Sequence, residues 1–309
     1  MGWESQVVHC PTCIKASAAL YSGTFEQCRT LAKHPLRSNH QLTDCMKKKF
    51  AIVLAGAAGR MGAEVLNAIS AQEDIHLAQA LVSRQSNRAG DQLNHPRFAD
   101  LRFSPSLDPS LGSRVMIVFA LPEASMDYLE QARATALPVL MCSTGFTPEQ
   151  SSVFTQAAQD IPLMLAPNTS LGIVWLARLA GELARGLPQA DVEIIESHHR
   201  DKLDSPSGTA LRLGRAVAQA RKVELEQVAE SNRTGHNRKR KPGGIGFASL
   251  RLGGVVGEHS VHFGLGGETL ELTHRAISRQ TFALGALSLA RWLADQPAGL
   301  YRVEDALEQ

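Results

Sequence analysis

From Phe50 onward the sequence alternates short unbroken apolar runs with stretches in which apolar residues recur every three or four positions. Phe50–Ala55 reads as a strand buried on both faces, and Arg60–Ser70 follows it with Met61, Val65 and Ile69 on one helical stripe. Further apolar runs at Ile75–Val82, Val115–Phe119, Val139–Cys142 and Pro162–Ala166 predict strands, with helix-like stretches near 123–135 and 147–159 between them. Strand–helix alternation of this kind predicts an α/β fold with a parallel, doubly wound sheet.

The rhythm changes after about residue 170. A helix over 171–185 and a strand at Asp191–Ser197 lead to a helix over 206–221 and a polar, basic loop from Ser231 to Gly244. Three strand-like runs follow closely, at Ile245–Leu252, Val255–Phe263 and Glu268–Ile277. In the last, Leu270 and Leu272 alternate with Glu271 and Thr273, the pattern of a half-exposed antiparallel sheet. A final helical pattern at 280–294 carries Phe282, Leu287, Leu289 and Trp292. Two domains are therefore expected, a nucleotide-binding one first and an α+β one with a mainly antiparallel sheet second.

Composition adds limits. The 309 residues hold 32 Lys+Arg against 30 Asp+Glu, a formal charge of +2, with 44% hydrophobic and 20% charged residues. That describes a globular chain long enough for one large or two medium cores. No apolar stretch nears the ~18 residues of a membrane-spanning helix, so no membrane is expected as a partner. The near-neutral balance argues against a dedicated nucleic-acid binder, and the run Arg238-Lys-Arg-Lys241 reads as a solvated loop face.

Residues 1–49 differ from the rest: they carry seven basic residues against three acids, and four of the five cysteines, Cys10, Cys13, Cys28 and Cys45. Cys10-Pro-Thr-Cys13 has the spacing of half a zinc site, with His9, His34 and His40 as further donors, but no second such pair follows and no metal is expected. Met46-Lys-Lys-Lys49 directly before an apolar strand looks like a natural start. Residues 1–45 then read as an upstream addition that packs poorly. Cys142 alone gives no disulfide framework, so a reducing cytoplasm is the expected location.

Two segments carry candidate chemistry. Gly56-Ala57-Ala58-Gly59-Arg60-Met61-Gly62 lies between the first strand and the first helix. A glycine turn opening a helix lets backbone approach a phosphate closely and offers it unpaired N–H donors. The G-x-x-G-x-x-G spacing is a variant of the dinucleotide fingerprint. The second strand ends Ala80-Leu-Val-Ser83-Arg84, with no carboxylate to bind a ribose or to repel a 2′-phosphate. NADPH is thus the expected cofactor, with NADH usable, and Arg84 the expected phosphate partner ahead of Arg60 and Arg88.

The second segment is Glu193-Ile-Ile-Glu-Ser-His198-His199-Arg-Asp-Lys202-Leu-Asp-Ser205-Pro206-Ser207-Gly208-Thr209-Ala210. Ser205 reads as a helix N-cap and Pro206 as the first helical residue. The N–H groups of Ser207, Gly208 and Thr209, with the Thr209 hydroxyl and the Lys202 ammonium, would then hold a carboxylate. His198 or His199 would move a proton near neutral pH.

This segment resembles the signature of the dihydrodipicolinate reductase family. Gly56–Gly62 is similar to that family's cofactor loop, and Ser143-Thr144-Gly-Phe146 and Ala166-Pro167-Asn168-Thr169-Ser170 resemble its two loops around the nicotinamide. Ile245-Gly-Phe-Ala, Gly257-Glu-His259 and Thr281-Phe-Ala resemble later segments, so that the likeness spans about residues 50 to 295. The resemblance implies NAD(P)H-dependent reduction of the cyclic dicarboxylate 4-hydroxy-tetrahydrodipicolinate in lysine biosynthesis. It implies His198 as proton donor or acceptor and Lys202 as second proton donor. His199, Gly208 and Thr209 would bind the substrate carboxylates. It also implies a Rossmann domain over 46–169 completed by 280–309, a substrate domain inserted at 170–279, and a homotetramer joined through that domain. The chain departs from the family pattern in three places. Cys142-Ser143-Thr144-Gly145 stands for Gly-Thr-Thr-Gly, adding a Cys142 side chain where backbone approaches the cofactor. Val118-Phe119-Ala120 stands for Asp-Phe-Thr, and Thr169 stands for an aromatic residue. The departures leave room for a related reductase of another small imine or keto acid; a non-catalytic binding protein using the basic run is the remaining reading. A chain begun at Met46 is expected to keep the thermal stability and activity of the full chain, and a large loss of either contradicts the reading of residues 1–45.

Overall fold

A computed structural model describes residues 49–231, 233 and 239–307. The extension 1–45, with its cysteine pair, lies outside the described residues.

The first apolar run forms β1 (Phe50–Ala55), which lies inside a seven-stranded sheet. Its side chains alternate between two cores. Ile52 and Leu54 pack with residues of α1 (Arg60–Ser70) and α7 (Gln280–Leu293). Val53 and Ala55 pack with residues of α2 (Pro122–Ala134) and α3 (Pro148–Ala157). Coverage on both faces is why this strand, and its neighbours β4 (Val115–Val118), β5 (Val139–Met141) and β6 (Pro162–Leu165), are apolar throughout rather than alternating, and why β2 (Ile75–Leu81) departs from this only at His76 and Gln79. With β3 (Phe103–Ser104) and β12 (Gly299–Arg302) at the edges, the order is β12-β6-β5-β4-β1-β2-β3, and every ladder is parallel. Strand order reverses between β1 and β4, so a crevice opens beyond the carboxyl ends of these two strands.

The second sheet has the order β11-β10-β7-β9-β8, from β7 (Asp191–His198), β8 (Ala229–Glu230), β9 (Ile245–Arg251), β10 (Gly257–Gly264) and β11 (Thr269–Ala276). The antiparallel character read from the sequence holds for β7, β10 and β11, whereas β9 runs parallel to both β7 and β8. The cause is topological. α5 (Gly208–Ala220) and α6 (Leu225–Val228) carry the chain back along the sheet, and a crossover of that length returns a parallel strand. α4 (Leu171–Gly186) and α5 cover one face and form its core with Val192, Ile194, Val261 and Phe263.

α7 returns the chain to the first sheet, and the fit at the turn is close. Gly285 of α7 lies against the backbone carbonyl of Thr169, where a Cβ would overlap it. A Cβ at Gly186, the last residue of α4, would meet open space. Gly285→Ala is therefore expected to lower stability by about 1–3 kcal/mol in urea unfolding. Gly186→Ala should be neutral or stabilising by up to ~1 kcal/mol; equal effects at the two positions would contradict the packing.

Candidate active site

Strand parity builds the site. Val192, Ile194, Glu196 and His198 alternate along β7 and all face the helix-covered side, so the strand's last two inward positions carry a carboxylate and an imidazole into the end of an apolar core. His198 Nδ1 lies 2.5 Å from Glu196 Oε2. The register sets Arg251 of β9 opposite His198 and His259 of β10 opposite Glu196. Arg251 donates from Nη1 to Glu196 Oε2 and from Nη2 to Oε1, each at 2.9 Å, the bidentate fork that suits a carboxylate. The backbone N–H of Ser207 donates to Oε1 at 3.3 Å. Burial alone would raise the Glu196 carboxyl, but hydrogen bonds from Arg251, Ser249 and His198 outweigh it and hold the group below its ordinary value.

Two histidine rings share this corner. His198 and His259 meet edge to face, with centroids 5.1 Å apart. Burial, with His198 nearby, pushes His259 down to about 3, so its ring stays neutral at physiological pH. Its Nε2 lies 3.2 Å from Ser207 Oγ. Burial also lowers His198, an effect that Glu196 opposes and that Lys202 and Arg251 reinforce. His198 Nε2 makes no hydrogen bond to the described residues and is not enclosed; a Cβ at Gly257 would come within 3.2 Å of it.

The helix start differs from the sequence reading. Ser207, not Ser205, is the N-cap of α5: its Oγ accepts from the N–H of Ala210 at 3.2 Å, and Gly208 is the first helical residue. Ser205 and Pro206 belong to the preceding loop. Since the Ser207 N–H is bonded to Glu196 and that of Gly208 serves the Asp204 carboxylate, the donor left at this helix start is that of Thr209. Asn168 Nδ2 donates to Thr209 Oγ1 at 3.0 Å, tying the loop after β6 to this helix. Lys202 Nζ donates to Asp204 Oδ1 at 2.7 Å, and Arg251 donates to the carbonyls of Lys202 and Asp204 at 3.2 and 2.5 Å. His199 is half-buried, and its side chain makes no hydrogen bond to the described residues. His198, Lys202, Gly208 and Thr209 thus come together around one loop, with His199 beside them.

The glycine loop opens α1 as expected. Gly56 has φ +79°, and a Cβ there would overlap the Phe119 carbonyl; one at Gly62 would lie 2.5 Å from the carbonyl oxygens of Gly56 and Ala57. The Gly56 and Ala57 N–H groups donate to the Leu81 carbonyl at 3.0 and 3.1 Å, and that of Gly59 to the Gly56 carbonyl at 3.0 Å. The donors left without an internal partner are those of Ala58, Arg60, Met61 and Gly62, around an exposed turn at a helix start. Close backbone approach, absent side chains and a free helix end fit a dinucleotide's phosphates. Arg84 lies beyond the end of β2, exposed, with its Nε 3.1 Å from Asp127 of α2.

Around the nicotinamide-loop candidates the structure corrects the reading. The Cys142 side chain points into the core with Leu140 and Ala166, and burial pushes its thiol up. It does not enter the crevice. The Ser143 hydroxyl is also internal: it accepts from the Ala120 N–H at 3.2 Å and lies 2.7 Å from Ser125 Oγ. Thr144 and Pro167 are exposed, Asn168 half-buried and Ala166 buried. Thr169 is buried and donates to the Phe282 carbonyl at 2.6 Å. The basic run is not simply solvated either, because Arg240 bonds Glu193 and the carbonyls of Val192 and Gly244 and pairs with Asp191 at 2.7 Å. Glu196, Arg251 and the Asn168–Thr209 link were not singled out from the sequence. The parity of β7 was the available signal for Glu196; Arg251 depends on strand pairing, which no local pattern reveals.

Among the described residues, no helix is long and apolar enough to cross a membrane, and no cluster of His, Cys, Asp and Glu could hold a metal ion. Residues 50–169 match the family model described as dihydrodipicolinate reductase, N-terminus, and residues 172–307 the one described as its C-terminus. The 4-hydroxy-tetrahydrodipicolinate reductase of Nitrosomonas europaea is 40% identical over 261 residues, covering 83% of this chain and 97% of its own. That of Zymomonas mobilis is 45% identical over 257 residues, covering 83% and 96%. A solved dipicolinate-bound dihydrodipicolinate reductase from Paenisporosarcina superposes with a TM-score of 0.66 at 25% identity, covering 83% of this chain and 99% of that one. With both sheets matched and relatives aligned over nearly their whole length, the chain belongs to the dihydrodipicolinate reductase family.

Proposed function

We propose that the chain reduces 4-hydroxy-tetrahydrodipicolinate to tetrahydrodipicolinate with NAD(P)H, in lysine (diaminopimelate) biosynthesis; its relatives are named 4-hydroxy-tetrahydrodipicolinate reductases. The observation that carries the reading is the convergence of His198, Lys202 and the Gly208–Thr209 helix start around one loop. A ring with two carboxylates needs such a set: a cation, an imidazole and a dipole end.

When bound, the cofactor would supply a hydride; the N–H groups of Ala58, Arg60 and Met61 would hold its phosphates, and residues of the loops at 142–144 and 166–169 would hold its nicotinamide. The protein's own work is with protons. One carboxylate takes the N–H and hydroxyl of Thr209 and displaces Asp204 from the N–H of Gly208, with His199 beside it. Lys202 exchanges its Asp204 partner for the substrate. The net change consumes one hydride and one proton and releases the hydroxyl as water. His198 Nε2 delivers the proton, with Lys202 as second donor. In the free protein burial disfavours the His198 cation; a dianion bound beside it opposes that effect, so the ring takes up a proton as substrate arrives.

The side chains at Val118, Cys142 and Thr169, which motivate a different substrate, all lie in the core, so they favour the first reading over a divergent one. NADPH is the proposed preference, through Arg84 released from Asp127. The domains are taken as 46–169 with 280–309, and 170–279. Assembly as a homotetramer through the second sheet belongs to the same proposal, with Leu250 exposed on the sheet face turned away from the helices.

A coupled assay, with substrate generated by the preceding synthase and NADH and NADPH side by side, should show turnover with both and higher kcat/KM with NADPH. His198→Ala combined with Lys202→Ala should lower kcat by about 10²–10⁴; full activity in that variant refutes the assignment. Arg84→Ala should reduce the NADPH-to-NADH ratio of kcat/KM, and an unchanged ratio removes Arg84 from the cofactor site.

A further inference from the structure

We propose that Glu196, clamped by Arg251, is the positioning residue for His198: it holds the ring with its proton on Nδ1, leaving Nε2 as the atom that gains and loses the transferred proton. The inference rests on the reading of His198 as proton donor.

The geometry leads there in three steps. Glu196 is 1% exposed and takes a bidentate fork from Arg251 and the N–H of Ser207, so all its outside partners are donors. An ionised carboxylate can only accept. The contact of 2.5 Å with His198 Nδ1 therefore requires the imidazole proton on Nδ1. Nε2 then carries the lone pair in the neutral ring and a transferable proton in the charged one. It is also the ring nitrogen without a bond to the described residues, beside the side-chain-free Gly257.

The charges around the ring make Glu196 decisive. From its own strand comes Glu196, from β9 Arg251, from β10 His259 and from the loop Lys202. His259 is neutral, Arg251 and Lys202 disfavour an imidazolium, and burial disfavours it further. Among the described residues, Glu196 is the one carboxylate in contact with the ring. Arg251 has a double effect, since it keeps Glu196 ionised and in place while itself opposing a charge on His198.

The test uses the full chain with ¹⁵N-labelled histidine. His198 in the parent protein should titrate as the Nδ1–H tautomer. Glu196→Gln keeps the size of the side chain and removes its charge. It should move the His198 titration, and the limb of kcat/KM that falls on deprotonation of His198, to lower pH by about one unit, or about tenfold less imidazolium at fixed pH. The KM for the cofactor should not change. Arg251→Gln is no substitute, because that side chain both opposes a charge on the ring and keeps Glu196 ionised. A shift to lower pH in Glu196→Gln supports the inference; no shift, or a shift to higher pH, overturns it. If Glu196→Gln fails to fold, the tautomer of the parent protein decides: a neutral His198 ring protonated on Nε2 overturns the inference. If the parent protein does not turn over the synthase product, the proposed function fails, while the histidine titrations still decide this point.

Discussion

The enclosed contact between Glu196 and Arg251 is the constraint on which the site depends. One carboxylate joins the end of β7, the end of β9 and the start of α5, and through Arg251 it also holds the carbonyls of Lys202 and Asp204. Ion pairs at this depth are poor sources of net stability, because desolvating both charges cancels most of their attraction. Their value lies in definition. Removing either charge strands the other, a cost of about 3–5 kcal/mol for buried pairs, so a misregistered β7–β9 ladder is strongly disfavoured. The seven-residue parallel register that places Arg251 opposite His198 is in this sense enforced by the same atoms that serve the site.

Much of this arrangement was legible in the sequence. Apolar runs covered on both faces match the central strands to within a residue, since runs this short between turn residues suit a buried strand better than a buried helix. Phe50–Ala55 and Arg60–Ser70 coincide with β1 and α1. Other features left no local trace. β12 is four residues long, alternates little, and is fixed only by its pairing with β6. The parallel course of β9 depends on where a crossover lands, not on the composition of the strand. The shift of the helix cap from Ser205 to Ser207 was missed because two serines flank one proline and each is a competent cap. The one that accepts from the Ala210 N–H wins. Cys142 and Ser143 were read as lining residues because sequence gives the position of a loop but not the direction of its side chains.

Two helix starts dominate the chemistry. α1 presents a side-chain-poor turn whose first donors are already spent on the Leu81 carbonyl, and α5 presents a turn whose first donor is spent on Glu196. In both, internal bonds consume the innermost N–H groups and so fix the outer ones in direction. Aimed donors bind an anion without first having to be ordered, and the entropy of ordering has already been met in folding.

The bond from the Asn168 amide to the Thr209 hydroxyl has a consequence of its own. A threonine oxygen that accepts from one side keeps its single hydrogen for the other. Any acceptor that took that hydrogen would polarise the hydroxyl and strengthen its bond to Asn168. Asn168 in turn holds the N–H of Ser170 at the entry to α4. Thr209, Asn168 and Ser170 thus form one hydrogen-bonded chain, and the direction of a single hydroxyl at the start of α5 is tied to the backbone that opens α4.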